Sequence, residues 1–274
     1  MSHDIIMNSS DIFEASLKGL RNQNEDTHVI ITNIDNRDNT IKDINFFAIN
    51  DGHGGKQVSE FIKEVLPSFF LDNRVEYPLK KRYVTNVYDH IQKLLSKQPY
   101  TNHCGSTSLT VIKFNYNNDS YLNVINLGDC RCILNRDNFA MPLTKDHKPN
   151  WPEEYNRINQ IGGKVEFDGF DWRINDLSVS RAFGDLDATP GVSHKPDLFR
   201  YKLDKNDKFI IMGCDGLYDV LSNSDIINFV LMHCYDNTTT KRINHNMNIA
   251  KKLAEHAIKL GSTDNVSCIV IFLD

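Results

Sequence analysis

Four apolar, strand-like runs in this chain each end or begin on an acid. The run 46–50 (Phe-Phe-Ala-Ile-Asn) leads into Asp51-Gly52, and the run 209–214 (Phe-Ile-Ile-Met-Gly-Cys) leads into Asp215-Gly216. Residues 122–127 lead into Gly128-Asp129, and Asp264-Asn265 opens the apolar stretch 266–273. One Asp after a strand is an ordinary turn residue. Four such segments imply strands that deliver carboxylates to a common rim. Carboxylates about 4 Å apart repel by roughly 4 kcal/mol at an effective dielectric near 20, so a cluster of this kind requires cations. All-oxygen ligation selects a hard ion, Mg²⁺ or Mn²⁺. No loop carries the spaced Asp/Asn ligands and closing Glu of a calcium hand.

The texture between these acids constrains the architecture. After Gly54-Gly55, Val58, Phe61, Ile62, Val65, Leu66 and Phe69 recur at helical spacing, with Pro67 expected to kink or end the helix. Val84, Val87, Tyr88, Ile91, Leu94 and Leu95 predict a second helix that closes before Pro99. Residues 106–134 change to short β-rich runs with an Asn-Asn-Asp turn at 117–119, read as an antiparallel meander. Residues 144–190 break up into Pro, Gly and Asp around a short helix at 153–160, like an excursion from the core. A strand at 209–214, helices at 225–234 and 248–260 and a last strand at 266–272 complete the chain. Strands in runs and helices in pairs predict an α+β fold with two antiparallel sheets and helices outside them, not a βαβ parallel sheet.

With 274 residues, 40% hydrophobic and 24% charged, the chain fits a soluble globular protein of one large domain or two small ones. A net charge of −5 with scattered Lys and Arg argues against a nucleic-acid surface. No apolar run approaches the roughly 18 residues of a membrane span, and residues 1–4 form neither a signal peptide nor a myristoylation site. A cytoplasmic protein without membrane partners is expected. The six cysteines include no CxxC pair, so reduced thiols are the default.

The acids can be given chemical roles. Asp51 has the oxygens to bridge two ions, and the Gly that follows lets the Gly52 carbonyl approach one of them. Glu25 would join that ion, and Asp215 with Asp264 the other, with a hydroxide held between the pair for in-line attack on phosphorus. Arg21, four residues before the Glu25-Asp26 pair, supplies a fork for phosphate oxygens. His53, in Asp-Gly-His-Gly-Gly, is placed to protonate a departing alkoxide. His147 and Arg181 are read as structural ties. Phe170 and Trp172 are candidates for exposed apolar residues.

This pattern resembles the metal-dependent protein phosphatases of type 2C, the PPM family. The landmarks are Arg21 with Glu25-Asp26, FFAINDGHGG at 46–55, Gly-Ser-Thr at 105–107, Gly-Asp-Cys-Arg at 128–131, LTKDHKP at 143–149, SVSRAFGD at 178–185, CDGLYD at 214–219 and GSTDN at 261–265. The resemblance implies a four-layer αββα sandwich, two antiparallel sheets flanked by helix pairs, with a dinuclear Mg²⁺ or Mn²⁺ centre at one end. It implies the ligand set above, a weaker third ion framed by Asp129 and Asp215, and a water-orienting role for Asp26. It further implies a phosphoserine or phosphothreonine protein as substrate. Residues 1–18 are then a lead-in and 19–274 one catalytic domain, with a flap subdomain at about 147–177. A monomeric, bare catalytic domain is expected. The alternatives are a catalytically silent binding protein, which missing ligands would mark, and a two-metal phosphoesterase acting on non-protein substrates. The absence of a CxxxxxR loop favours direct attack by water over a cysteine nucleophile.

Overall fold

The computed structural model describes residues 11–34 and 41–273. In chain order its elements are β1 (Ile12–Leu17), β2 (Thr27–Ile34), β3 (Ile41–Asn50), β4 (Gly52–His53), α1 (Gln57–Leu71), α2 (Lys81–Leu95), β5 (Gly105–Ser106), β6 (Ser108–Tyr116), β7 (Asp119–Leu127), β8 (Arg131–Arg136) and β9 (Phe139–Pro142). They continue with α3 (Pro152–Gln160), β10 (Glu166–Phe167), β11 (Trp172–Arg173), β12 (Phe183–Gly184), β13 (Asp197–Lys202), β14 (Asp207–Gly213), α4 (Asp215–Tyr218), α5 (Asn223–Cys234), α6 (Ile249–Lys259) and β15 (Val266–Phe272).

Two five-stranded sheets dominate, in the orders β1-β15-β14-β8-β9 and β13-β7-β6-β3-β2, with every pairing antiparallel. Strand alternation builds the layers. Along β3, Phe46 and Ala48 pack with α1 and α2, whereas Phe47 and Ile49 face Ile210, Met212, Ile269 and Ile271 of the other sheet. On that sheet Ile211, Val270 and Phe272 turn the opposite way and pack with α5 and α6. Burial on both faces explains why the central strands read as continuous apolar runs. The molecule is the expected four-layer αββα sandwich.

Three expectations change. The stretch 106–134 is no single meander: β6 and β7 form a hairpin, but β8 lies in the opposite sheet. The chain crosses between sheets at Gly128-Asp129, where Gly128 takes φ +110°. Pro67 does not end α1, which runs four residues further and buries Phe70 against the sheet. Residues 12–17, expected as lead-in, form an edge strand on β15, while residues 1–10 lie outside the described set.

The excursion after β9 carries its own small core of Ile158, Ile174, Val179, Ala182, Ala188 and Val192, reaching beyond residue 177. Its β10-β11 hairpin exposes Phe167, Phe170 and Trp172. Among the described residues, no helix is long and apolar enough to cross a membrane.

Candidate active site

The acids meet because antiparallel register brings their strand ends to one rim. Thr27 pairs with Asn50, Ser108 with Leu127, and Gly213 with Cys268. Glu25 and Asp26 therefore enter β2 where Asp51 leaves β3, and Asp215 leaves β14 beside the start of β15, which Asp264 precedes. A cleft of about 500 Å³ opens over this rim. Arg21, Glu25, Asp51, Gly52, His53, Asp129, Asp215 and Asp264 all line it. Asp26 does not; it lies buried beneath, with a carboxylate oxygen within 4.8 Å of Asp51 and of Cys214.

The acids do not cluster evenly. Oxygens of Asp51, Asp129 and Asp215 lie within 4.8 Å of one another. Asp264 is outside this trio but near enough for its charge to raise the Asp215 carboxyl. Its Oδ2 accepts from Arg21 at 2.5 Å and its Oδ1 from the Asn265 backbone N–H at 2.6 Å. Partial exposure lets that carboxylate take a side-chain cation instead. Glu25 also lies outside the close group.

The residues present fit divalent cations. Both carboxylate oxygens of Asp26 and Oδ1 of Asp129 are buried without a hydrogen-bond partner. Burial, reinforced by the charges of Asp215, Asp26 and Asp129, pushes the Asp51 carboxyl well above the carboxylate range. Asp215 is raised in the same way by burial and by Asp129 and Asp219, against the pull of Lys148. Burial lifts the Asp26 carboxyl to about 6, and the charge of Asp264 adds to the rise. Acids this crowded hold protons or metal, and their donor set is oxygen throughout.

A ring of hydrogen-bonded residues holds the rim in shape. Asn265 accepts from the Glu25 N–H at 2.9 Å and donates to the carbonyls of Lys18 and Gln23, fixing the Arg21 loop. Ser59 of α1 donates to the Glu25 carbonyl at 2.5 Å. His147 is 3% exposed: its Nδ1 accepts from the Gly128 N–H at 3.0 Å and its Nε2 faces Asp197 at 3.2 Å. It supports the turn carrying Asp129, as a structural tie should. Arg181 likewise ties Glu154 to Asp197 and does not line the cleft. Lys148 donates to Asp129. His53 Nε2 lies 2.8 Å from Asp185 Oδ2, a partner 132 positions away that no local motif announces. Burial opposes charge on His53, but Asp185 prevails and raises its pKa above the ordinary value.

Comparison with known proteins converges on one family. The family model described as protein phosphatase 2C matches residues 10–266. A PP2C-like domain-containing protein of Acanthamoeba polyphaga mimivirus is 52% identical over 167 residues, covering 55% of this chain and 93% of that protein. A probable protein phosphatase 2C of Oryza sativa subsp. japonica is 32% identical over 270 residues, covering 92% of this chain and 70% of the relative. Among solved structures, a serine-threonine phosphatase 2C from Toxoplasma gondii superposes with TM-score 0.78 at 23% identity, covering 97% of this chain and 96% of that one. A C. elegans sex determining protein superposes with TM-score 0.82 at 23% identity, over 96% of this chain and 64% of that one. These two share the fold. Sequence match and rim chemistry together lead to one conclusion: this chain belongs to the protein phosphatase 2C family of serine/threonine phosphatases.

Proposed function

We propose that the chain hydrolyses phosphoserine and phosphothreonine in proteins by direct attack of water on phosphorus at this rim, using Mg²⁺ or Mn²⁺. The observation that carries the reading is the convergence of Asp51, Asp129 and Asp215 oxygens within 4.8 Å, beside an Asp26 carboxyl with no protein partner. Asp51 would be shared by two ions, with Glu25 and the Gly52 carbonyl completing one and Asp215 with Asp264 the other. Asp129 and Asp215 would frame a weaker third. Bound there, divalent cations lower the pKa of water and neutralise phosphoryl oxygens.

The chain's own groups do the rest. Arg21, exposed at the cleft mouth, offers its fork to the substrate phosphate once it exchanges Asp264 for that ligand. Asp26 orients the attacking water from below. His53 protonates the departing serine or threonine oxygen.

The test is a Mn²⁺ titration of phosphothreonine-peptide hydrolysis, with a phosphotyrosine peptide and a dinucleotide as controls. Asp51→Asn and Asp215→Asn should each abolish the metal-dependent rate. Full activity in either variant contradicts the assigned ligands, and preference for the dinucleotide contradicts the substrate class.

A further inference from the structure

We propose that Asp185 is the positioning residue for His53: it grips the imidazole by Nε2 and leaves Nδ1 as the nitrogen that serves the cleft. The inference rests on the reading of His53 as proton donor and adds a second residue, an atom assignment and a reason for a glycine.

The pair is built by the small sheet β12-β5-β4 at the edge of the site. His53 and Gly184 sit on either side of Gly105 in register. Asp185, next after Gly184, is 2% exposed and brings Oδ1 and Oδ2 to 2.9 and 2.8 Å from His53 Nε2. Its side chain makes no other hydrogen bond with the described residues. Its backbone takes the left-handed conformation, φ +46°, and its N–H donates to the Cys104 carbonyl at 3.2 Å. Gln92 of α2 clamps the preceding Gly184, accepting from its N–H and donating to its carbonyl, both at 2.9 Å.

Gly105 is the window through which the pair meets. A Cβ there would stand 2.1 Å from Asp185 Oδ2 and 2.4 Å from His53 Nε2. Any side chain at 105 must displace the carboxylate or the ring. So much fixed backbone around a single carboxylate fits a group whose task is to orient its partner.

The chemistry follows. A carboxylate accepting from Nε2–H selects one tautomer and steadies the ring when both nitrogens carry protons. As the P–O bond breaks, its electron pair stays on the leaving oxygen, and that oxygen takes the Nδ1 proton. The ring is left neutral with Nε2–H still on Asp185. The proton given up by the attacking water restores the imidazolium.

The test compares a phosphothreonine peptide, whose leaving alkoxide needs a proton, with p-nitrophenyl phosphate, whose leaving group does not. In saturating Mn²⁺, Asp185→Asn should lower kcat for the peptide roughly ten- to a hundredfold, while the aryl phosphate changes by less than about threefold. Gly105→Ala, which wedges the pair apart, should show the same split. Asp185→Asn should add nothing further in a His53→Ala background. Equal losses on both substrates, or an additional loss in that background, overturn the positioning role. Equal losses in His53→Ala alone remove the general-acid reading itself, which separates the two failures. If the variants do not fold, imidazole ¹⁵N NMR of the native protein across pH decides: a ring protonated on both nitrogens that keeps Nε2–H when it is neutralised is expected, and a neutral Nδ1–H ring overturns the assignment.

Discussion

His53 and His147 look alike on paper, each one residue or two from an Asp in a short polar loop. Their surroundings divide them. His53 lines the cleft with Nε2 held by Asp185, whereas His147 is buried beneath Gly128 with both nitrogens engaged. His147→Ala strands the Gly128 N–H, while Asp197 keeps Arg181; a buried group left unpaired costs about 1–3 kcal/mol. We expect a lower melting temperature together with weaker Mn²⁺ dependence of activity, because the turn carrying Asp129 loosens; an unchanged melting temperature would show that the tie carries no stability. Asn265→Ala should act through the Arg21 loop, raising KM for a phosphopeptide more than it lowers kcat, and the reverse pattern would point to a role in the chemical step. The acids of the site were legible because each stands next to an apolar run. Asp185 and Asn265 were not given roles beforehand, since their contacts span 132 and 240 positions and hydrogen-bond partners at such separations leave no local pattern.

Central strands announced themselves and edge strands did not. β6, β7, β14 and β15 are buried almost throughout and read as apolar runs, and the central β3 did so through its C-terminal half. β1, β2, β9 and β13, none of which was anticipated, are the four outer strands and are largely half-exposed. One face of an edge strand meets solvent or a helix margin, so its hydrophobic signal is diluted. Pro67 does not stop its helix for a related reason: the packing of Leu66 and Phe70 sustains α1 through a residue that removes one backbone hydrogen bond. The same contrast sets the tolerance to mutation. Phe47→Ala, between the sheets with no exposure, should cost about 3–5 kcal/mol, whereas Phe139→Ser on edge strand β9, 77% exposed, should stay within about 0.5 kcal/mol. Urea unfolding of the two variants measures both, and comparable losses would contradict the layer assignment.

Assembly of the two sheets creates a dependence on ions and on pH that no single strand carries. A cation that binds only the folded rim stabilises it by RT ln(1 + [L]/Kd), about 2.7 kcal/mol at a hundredfold excess over Kd. Melting should therefore shift upward with Mn²⁺ and return with EDTA; indifference to both would argue against a metal cradle. Acid acts elsewhere, at the base of the excursion. Burial alone would raise Glu154, but Arg181 and Arg157 bring its carboxyl down to about 2, and a hydrogen bond from His147 helps hold Asp197 at about 2. Depressed folded-state values mean that this stabilisation is complete above the unfolded pKa near 4 and is lost as pH falls from there toward 2. Glu154→Gln should flatten the acid limb of a melting profile between pH 5 and 3, and an unaltered slope would exclude this ion-pair network as its source.

Local chemistry was enough to establish which side chains carry charge to a strand end, that their oxygens could hold a hard cation, and that the strands are antiparallel with helices outside. Those features are encoded in neighbouring residues, and burial on both faces makes the central strands unmistakable. Only the folded chain decided which acids come within 4.8 Å of one another, that Asp264 also pairs with Arg21 while Asp129 joins Asp51 and Asp215, and that Asp185 reaches His53 across a glycine. Those outcomes depend on strand register, on the crossing at Gly128 and on the close approach of three short strands, and such distances are set by packing between segments remote in sequence.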